Sequence, residues 1–148
     1  MEHIFELTVA DAAYVEPIQK LLGQLSSSPI NFTIKELQAL VDDAASQLFI
    51  LECDGVVAGM LTLCTYLAPT GRKLWIEDVV VDNAMRGRAY GRRLVEYAIE
   101  CAEKKGCGTL MLTSKPSRIA ANMLYRSTGF QPKETNVYTF PLPRKGER

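Results

Sequence analysis

Apolar residues follow two spacings along this chain, and each spacing predicts one kind of secondary structure. Short apolar runs are typical of strands, whereas apolar residues three or four positions apart are typical of amphipathic helices. Strands are predicted over Ile4–Val9, Gln47–Cys53, Val56–Tyr66, Leu74–Val81 and Thr109–Thr113, with further strand material at Phe130 and Val137–Phe140. Helices are predicted over Ala12–Leu22, from Thr33 to about Ala45, through Leu94–Ala102 to an end at Lys104–Gly106, and from Ser117 to about Thr128. This order predicts an α/β fold, a mixed sheet with helices on its faces.

Local signals place several of these boundaries. Thr33 and Glu36 have the spacing of a capping box, in which a helix starts directly after the threonine. Asp54–Gly55, between two strand-like runs, is a strong signal for a two-residue hairpin turn. Pro17 fits badly inside a helix, so we expect a late start or a kink there. Gly129 is predicted to cap the end of the last helix.

Composition is that of an ordinary globular protein and argues against several function classes. The 148 residues, 16.4 kDa, are most simply one domain. Lys plus Arg number 17, as do Asp plus Glu, and this zero net charge gives no support for a protein that coats nucleic acid, whose affinity would depend on a basic surface. Its start shows no secretory pattern, and no apolar run is long enough to span a membrane. The four cysteines have no metal-ligand spacing, which favours a cytoplasmic protein without a metal site.

The most informative segment is a strand that runs into a turn rich in arginine and glycine. Val79–Val81 is apolar, the turn contains Arg86, Gly87 and Arg88, and an amphipathic helix follows. N–H groups at a helix start have no carbonyl partner and lie at the positive end of the helix dipole, so such a turn binds anions. It has neither the Gly-Lys-Ser/Thr of a P-loop nor the glycine pattern of a dinucleotide site.

Two motifs resemble those of one superfamily, the GCN5-related N-acetyltransferases (GNAT). The turn, written Arg86-x-x-Ala89-x-Gly91, resembles the pyrophosphate loop of that family, with alanine in place of its first glycine. Asn122-x-x-Tyr125, followed by a Gly-Phe pair, resembles a later helix of the family, although the tyrosine spacing departs from the strict pattern. The resemblance implies a central, mostly antiparallel sheet of six to seven strands with helices on both faces.

A third resemblance lies in the strand before the turn. Trp75–Val81 contains the acidic pair Glu77 and Asp78, and family members that acetylate small amines have an acidic pair on this strand. The three segments occur in the family's order between about Gln47 and Phe130. The first 45 residues fit the family only by their pattern of elements.

The resemblance implies acetyl-coenzyme A (acetyl-CoA) as the cosubstrate. The turn would hold its pyrophosphate, while strand backbone groups and an asparagine side chain would bind its pantetheine. The implied coenzyme-binding residues are Val79, Val80, Val81, Arg86, Gly87, Arg88, Ala89, Tyr90, Gly91, Arg92 and Asn122. In the family the fourth strand parts from the fifth, which would free the backbone of Val79 and Val81 to pair with the pantetheine amides.

Two residues are candidates for proton transfer. The resemblance implies that Tyr125 protonates the departing thiolate. Glu77 is the candidate general base, because an acid within an apolar strand is expected to have a raised pKa. The alternative for Glu77 is a solvated carboxylate or one that binds the substrate. Neighbouring strand residues point to opposite faces, so Glu77 and Asp78 both reach the site only if a bulge intervenes.

The helix that carries Tyr125 is predicted to have two distinct faces. Arg118, Asn122 and Tyr125 have the spacing of one polar face. The predicted apolar face consists of Ile119, Ala120, Met123 and Leu124.

No motif identifies the acceptor. A small-molecule amine is favoured over a protein amine, and acetyl transfer by direct attack is the predicted reaction. The alternative function is a non-catalytic module that binds acetyl-CoA or a nucleotide. Ala89 slightly favours that alternative, since alanine permits close backbone approach only at a negative φ. Whether the chain forms a homodimer is left open by the sequence.

Overall fold

A sheet of five strands, arranged in chain order, forms the centre of the protein. The computed structural model describes residues 1–106 and 108–143. Within them the strands are β1 (Glu2–Glu6), β2 (Ser46–Cys53), β3 (Val56–Ala68), β4 (Gly71–Val81) and β5 (Leu110–Met111). The α-helices are α1 (Val15–Leu25), α2 (Ile34–Asp42), α3 (Tyr90–Lys104) and α4 (Ile119–Ser127). Strands β1 to β4 are antiparallel neighbours, whereas β5 runs parallel to β4.

Helices cover both faces of the sheet because the central strands are apolar on both sides. In β2, Leu48 and Ile50 are buried in one cluster with residues of α1 and α2. Phe49 and Leu51 point the other way, into a cluster with residues of α3. Successive strand side chains alternate between faces, so one continuous apolar run supplies both cores. The predicted placement of helices on both faces is confirmed.

The local signals in the sequence act as expected. Both halves of the capping box form, since Thr33 accepts from the helix backbone and the Glu36 carboxylate accepts from the N–H of Thr33. Asp54–Gly55 has positive φ at both positions (51° and 79°), as a type I′ hairpin turn requires. Helix α1 starts late, at Val15, after a single turn of 3-10 helix. Pro17 therefore lies in its first turn, where the missing N–H breaks no helical hydrogen bond.

The sheet is smaller than predicted. β5 has two residues rather than the five of Thr109–Thr113, and the strand material expected at Phe130 and Val137–Phe140 forms no strand within the described residues. In residues 1–106 and 108–143 the sheet thus has five strands, where six to seven were expected. A strand needs a hydrogen-bonded neighbour, and side-chain pattern alone does not supply one.

Candidate functional site

A groove of about 540 Å³ lies where the end of β4 meets the start of α3 and the helix α4. Strand β4 contributes Val79, Val80 and Val81, and the turn and α3 contribute Met85, Arg86, Gly87, Ala89, Tyr90, Gly91 and Arg92. The opposite wall consists of Arg118, Ile119, Ala120, Ala121, Leu124 and Tyr125. Most of the residues predicted to bind coenzyme therefore share one groove with Tyr125. Arg88 and Asn122 do not line it.

One side of the groove is the free edge of β4. Strands β4 and β5 are paired only at Leu74 with Leu110 and at Trp75 with Met111. Beyond Trp75 the two strands part, so the backbone of Val79 and Val81 has no partner in β5. The separation implied by the family resemblance is thus present, and an extended amide chain can add to this edge as a strand would.

A bulge reverses the faces of β4 just before the groove. Strand β4 contains one residue more than β3 between the pairs made by Glu77 and Val80. Asp78 is the irregular residue, with φ of 52°. Ile76 packs in the cluster with α3, whereas Val80 packs in the cluster with α1. The bulge on which a joint approach of Glu77 and Asp78 depends is therefore present, and both side chains are exposed, although neither lines the groove.

The environments of the two acids raise their pKa values. Partial burial raises the pKa of Glu77, and the neighbouring charge of Asp78 raises it further. Partial burial also raises the pKa of Asp78. Glu77 lies outside the groove, on the opposite face of β4 from Ile76 and Tyr125, which share the α3-side core. The two proton-transfer candidates therefore face the end of β4 from opposite sides of the sheet.

Asp82, to which the sequence reasoning assigned no role, anchors the start of the turn. Its buried carboxylate accepts from the N–H of Ala84 at 3.0 Å and from the side chain of Gln24 at 3.4 Å, and it pairs with Lys20 at 3.3 Å. The side chain of Gln24 also accepts from the N–H of Asn83 at 2.7 Å. These hydrogen bonds lower the pKa of Asp82, the one from Ala84 most strongly. The only signal for this role in the local sequence was that an aspartate can accept from the backbone N–H two residues later, a common turn pattern.

Unpaired N–H groups at the start of α3 point to an anion site. The first hydrogen bond from residue i to i−4 runs from the N–H of Arg93 to the carbonyl of Ala89, at 3.1 Å. The N–H groups of Tyr90, Gly91 and Arg92 precede it and have no partner within the helix. They lie at the positive end of the helix dipole and line the groove.

Ala89 does not have the negative φ at which alanine was expected to allow close backbone approach. Its φ of 61° and ψ of 23° place it in the left-handed region. The backbone is extended at Arg86 and has a positive φ of 84° at Gly87. It then changes direction before α3 begins. A non-glycine residue in this region is strained by about 1–2 kcal/mol. The turn thus has, at an alanine, a backbone conformation that favours glycine.

The side chains of the turn differ in their freedom to meet a ligand. Those of Arg86 and Arg88 are exposed. The Arg92 guanidinium instead donates to the hydroxyl and carbonyl of Ser127, at 2.9 and 3.3 Å, and pairs with Glu96 at 3.0 Å. The Tyr90 side chain is buried in the core on the α3 side of the sheet. Arg92 and Tyr90 can therefore reach a ligand in the groove chiefly through their N–H groups.

Tyr125 is fixed by the way α4 ends. The N–H of Phe130 donates to the carbonyl of Tyr125 at 3.0 Å and that of Gly129 to Arg126 at 3.1 Å, which is the Schellman pattern. Gly129 has the positive φ of that motif, 109°, and the rings of Phe130 and Tyr125 meet edge to face with centroids 6.1 Å apart. Tyr125 is 6% exposed; burial raises the pKa of its phenol, and the nearby Arg118 partly opposes the rise.

The predicted faces of α4 are wrong. Tyr125 is buried, whereas Ile119 and Met123, from the predicted apolar face, are 69% and 67% exposed. The helix packs on α3 through Leu124, and Gly91 makes this possible because a Cβ there would lie 3.2 Å from the Leu124 side chain. The exposed apolar end of α4 is explained by its position, since Ile119 lines the groove.

Asn122 lies outside the groove and holds the segment before α4. Its side-chain amide donates to the carbonyls of Lys115 and Arg118, at 2.9 and 2.7 Å. It lines a second groove, of about 720 Å³, between β5, α4 and the residues after Phe130. The structure therefore gives Asn122 a role in positioning α4 and does not place it beside the other predicted coenzyme contacts.

Three further expectations concern metals, membranes and thiols. Across residues 1–106 and 108–143, no three or more His, Cys, Asp or Glu side chains are grouped to hold a metal ion. No helix in that part of the chain is both long and apolar enough to cross a membrane. Cys53, Cys64 and Cys101 have free thiols, and Cys107 lies outside the described residues.

Comparisons with known proteins agree with this geometry. The model of the acetyltransferase (GNAT) family matches residues 16–130. Glucosamine 6-phosphate N-acetyltransferase 1 of Oryza sativa subsp. japonica is 30% identical over 130 residues, which cover 79% of this chain and 74% of that protein.

Solved structures show the same fold. The glucosamine-6-phosphate N-acetyltransferase of Arabidopsis thaliana superposes with a TM-score of 0.79 at 21% identity, covering 95% of this chain and 98% of the other. An aminoglycoside acetyltransferase from an uncultured soil metagenomic sample gives a TM-score of 0.82 at 18% identity, with 97% of each chain covered.

Proposed function

Because this chain belongs to the GNAT family of acetyltransferases and is an acetyl-CoA-dependent acyltransferase, we propose that it acetylates the primary amine of a small molecule. The amine attacks the thioester directly while both substrates are bound. One observation carries the proposal. The unpaired N–H groups of α3, the free edge of β4 and the buried Tyr125 all line the same groove.

The groove fits the chemistry of the coenzyme along its length. Free N–H groups of Tyr90, Gly91 and Arg92 suit a pyrophosphate, and the exposed guanidinium of Arg86 adds charge-assisted hydrogen bonds. The unpaired edge of β4 suits the amides of pantetheine. Exposed Ile119 adds an apolar surface on the opposite wall.

The acceptor amine approaches from the other face of the sheet, where Glu77 lies. An amine with a pKa of about 10.4 must lose a proton before it can attack, which costs about 4.6 kcal/mol at pH 7. A carboxylate whose pKa is raised accepts that proton more readily than an ordinary one. The pairing of β4 with β5 ends at Trp75, and in this proposal the amine and the thioester meet where the two strands are apart.

Tyr125 donates a proton to the departing thiolate. A thiol has a pKa of about 8.5 and a tyrosine about 10, so the transfer is modestly unfavourable and needs good positioning more than acid strength. Burial raises the pKa of Tyr125, which keeps it protonated at neutral pH. Tyr125 lies near the end of α4, and the helix cap places the ring of Phe130 against its own ring.

A small-molecule acceptor is favoured by the relatives. The matched proteins include enzymes named for glucosamine 6-phosphate and for streptothricin, both small molecules. The acidic pair Glu77 and Asp78 offers negative charge to a cationic amine.

Isothermal titration and a coupled thiol assay test the proposal together. We expect coenzyme A to bind with at least micromolar affinity, ATP to bind much more weakly, and one or more members of a panel of amino sugars and diamines to release free thiol from acetyl-CoA. Tight coenzyme binding without transfer to any amine would instead favour the non-catalytic module. Transfer only to peptide amines would remove the small-molecule assignment.

A further inference from the structure

On the side of the sheet where α1 and α2 pack, polar residues of three neighbouring strands form one patch, here termed the polar patch. It consists of Ser46, Thr62, Cys64 and Glu77. In the register of the sheet Thr62 is the partner of Glu77. Cys64 is the partner of Ser46. The neighbouring Leu61 and Leu63 belong to the core on the α3 side, so alternation along β3 places the polar patch on the opposite face.

The charges that act on the polar patch are negative. The Asp43 carboxylate, directly after α2, accepts from the Ser46 hydroxyl at 3.0 Å. Burial raises the pKa of the Cys64 thiol, which lies on the middle strand of the patch. The negative charges of Glu77, Asp43 and Asp78 raise that pKa further. Three carboxylates therefore act on one point of the polar patch.

The ion pairs of the protein leave these carboxylates unpaired. Within residues 1–106 and 108–143 there are four ion pairs, and none of them includes Asp43, Glu77 or Asp78. Lys73 lies on the same face of β4, but it is four residues from Glu77, a separation of about 13 Å along the strand. Unpaired charges of one sign on a common surface attract a ligand of the opposite sign.

A buried hydroxyl lies beside the candidate base. Thr62, opposite Glu77, is 8% exposed. In the part of the chain that the structure describes, its hydroxyl takes part in no hydrogen bond with another side chain or with the backbone. A buried polar group without a partner costs stability, and a ligand that supplies the hydrogen bond removes this cost. Beside a carboxylate, the threonine oxygen is suited to accept from an ammonium group.

The polar patch has a carboxylate at each end. Glu77 is on β4, whereas Asp43 is bonded to Ser46 on β2. These two strands are separated by β3, a distance of about 10 Å across the sheet. One ammonium group reaches only one end of the polar patch, but a substrate with two ammonium groups can reach both.

We propose that the acceptor is an aliphatic diamine that lies across the polar patch, with one nitrogen at Glu77 and Thr62 and the other at Asp43. The first nitrogen gives its proton to Glu77 and forms the amide bond as the carbon–sulfur bond of the thioester breaks, and the thiolate takes a proton from Tyr125. The second nitrogen stays charged and paired with Asp43. A phosphorylated amino sugar is disfavoured, because its phosphate would lie among carboxylates. The transfer step rests on the function proposed above, whereas the binding of a diamine does not.

Steady-state kinetics with matched amines give the first test. Cadaverine and pentylamine have the same carbon chain, but only cadaverine has a second ammonium group. Its kcat/KM should be about tenfold higher or more, as expected for one further charge-assisted hydrogen bond. Asp43→Asn should reduce this ratio towards one. Asp42→Asn is the matched control and should keep the ratio, because Asp42 ends α2 one residue earlier and its carboxylate accepts from Gln38 at 2.8 Å.

Three kinetic outcomes would overturn the diamine assignment while leaving the acetyl transfer intact. The first is a wild-type ratio near one, and the second is a ratio that Asp43→Asn leaves unchanged. The third is faster transfer to glucosamine 6-phosphate than to glucosamine.

Calorimetry separates binding of the diamine from the reaction. Cadaverine and pentylamine are titrated into the protein in the presence of coenzyme A, which has no acetyl group to transfer. Cadaverine should bind about tenfold more tightly than pentylamine, and Asp43→Asn should remove the difference. Thr62→Val should weaken both amines several-fold and keep their ratio, because only the first nitrogen contacts the hydroxyl. Tight binding of cadaverine without acetyl transfer would support the diamine site and reject the proposed reaction. Equal affinities for the two amines would reject the diamine site, whether or not transfer occurs.

Discussion

The turn before α3 and the helix α4 form opposite walls of one groove, but they are built from different chemistry. The turn presents backbone N–H groups, while its Tyr90 and Arg92 side chains are committed to the core and to α4. Helix α4 presents a side chain, the phenol of Tyr125, held by a specific helix cap. One wall depends on backbone conformation and the other on the identity of particular side chains.

This difference determines which substitutions each wall tolerates. An anion held by backbone N–H groups is insensitive to many side-chain changes, provided that the φ and ψ angles of the turn are kept. A proton-transfer group tolerates few substitutions, because a side chain without the titratable atom cannot transfer the proton. Substitutions that affect the reaction should therefore have larger effects on turnover than changes in the turn, whose effects should appear in coenzyme affinity and stability.

The largest effect is expected for Glu77→Gln. Loss of the proposed general base should lower kcat/KM by about 100-fold. The pH profile is the decisive measurement. Glu77 accepts a proton only when ionised, so the wild-type rate should fall as the pH drops through its raised pKa, and this acidic limb should disappear in the variant. Asp78→Asn is the matched control. An unchanged limb in Glu77→Gln, or a larger loss in Asp78→Asn, would assign the base elsewhere.

Tyr125→Phe should have the next largest effect. It keeps the ring and its contact with Phe130 but removes the proposed proton donor, so kcat should fall about tenfold or more while the KM for acetyl-CoA changes little. Tyr97→Phe is the control, because Tyr97 packs on Phe49 in the middle of α3, away from the groove. Equal kcat values in the two variants would remove Tyr125 from the mechanism.

The two walls also differ in how far the sequence predicted them. The turn was identified because glycines, arginines and the strand before them are adjacent in the chain and act through local backbone geometry. The prediction for α4 failed in its faces, because a hydrophobic pattern does not show that Gly91 admits Leu124 or that the exposed Ile119 borders a groove. The sequence also does not show that Lys20 and Gln24 anchor Asp82, since these partners are about 60 residues away in the chain.

Asp82 tests the dependence of the turn on its backbone. Asp82→Ala removes the acceptor of the Ala84 N–H and should cost about 1–2 kcal/mol in the free energy of unfolding, with a several-fold higher KM for acetyl-CoA. Asp82→Asn keeps an acceptor oxygen and should cost less. Because folding lowers the pKa of Asp82, its ionic contribution is complete above the unfolded pKa of about 3.9 and is lost as the pH falls further. The difference between wild type and Asp82→Asn in urea unfolding should therefore narrow in acid.

The smallest effect is expected for Ala89→Gly, which tests most directly whether backbone conformation determines the properties of the turn. Since Ala89 has a left-handed conformation, Ala89→Gly relieves strain, partly offset by the greater freedom of glycine in the unfolded chain. The net gain in the free energy of unfolding should be about 0.5–1 kcal/mol. Ala84→Gly is the matched control: Ala84 is exposed in the same turn but has a negative φ, so glycine there should destabilise. Coenzyme affinity should be kept in Ala89→Gly, because the N–H groups at the start of α3 do not move. A loss of stability would mean that alanine is not strained at this position, and a loss of affinity would mean that its methyl group, rather than the backbone, shapes the anion site.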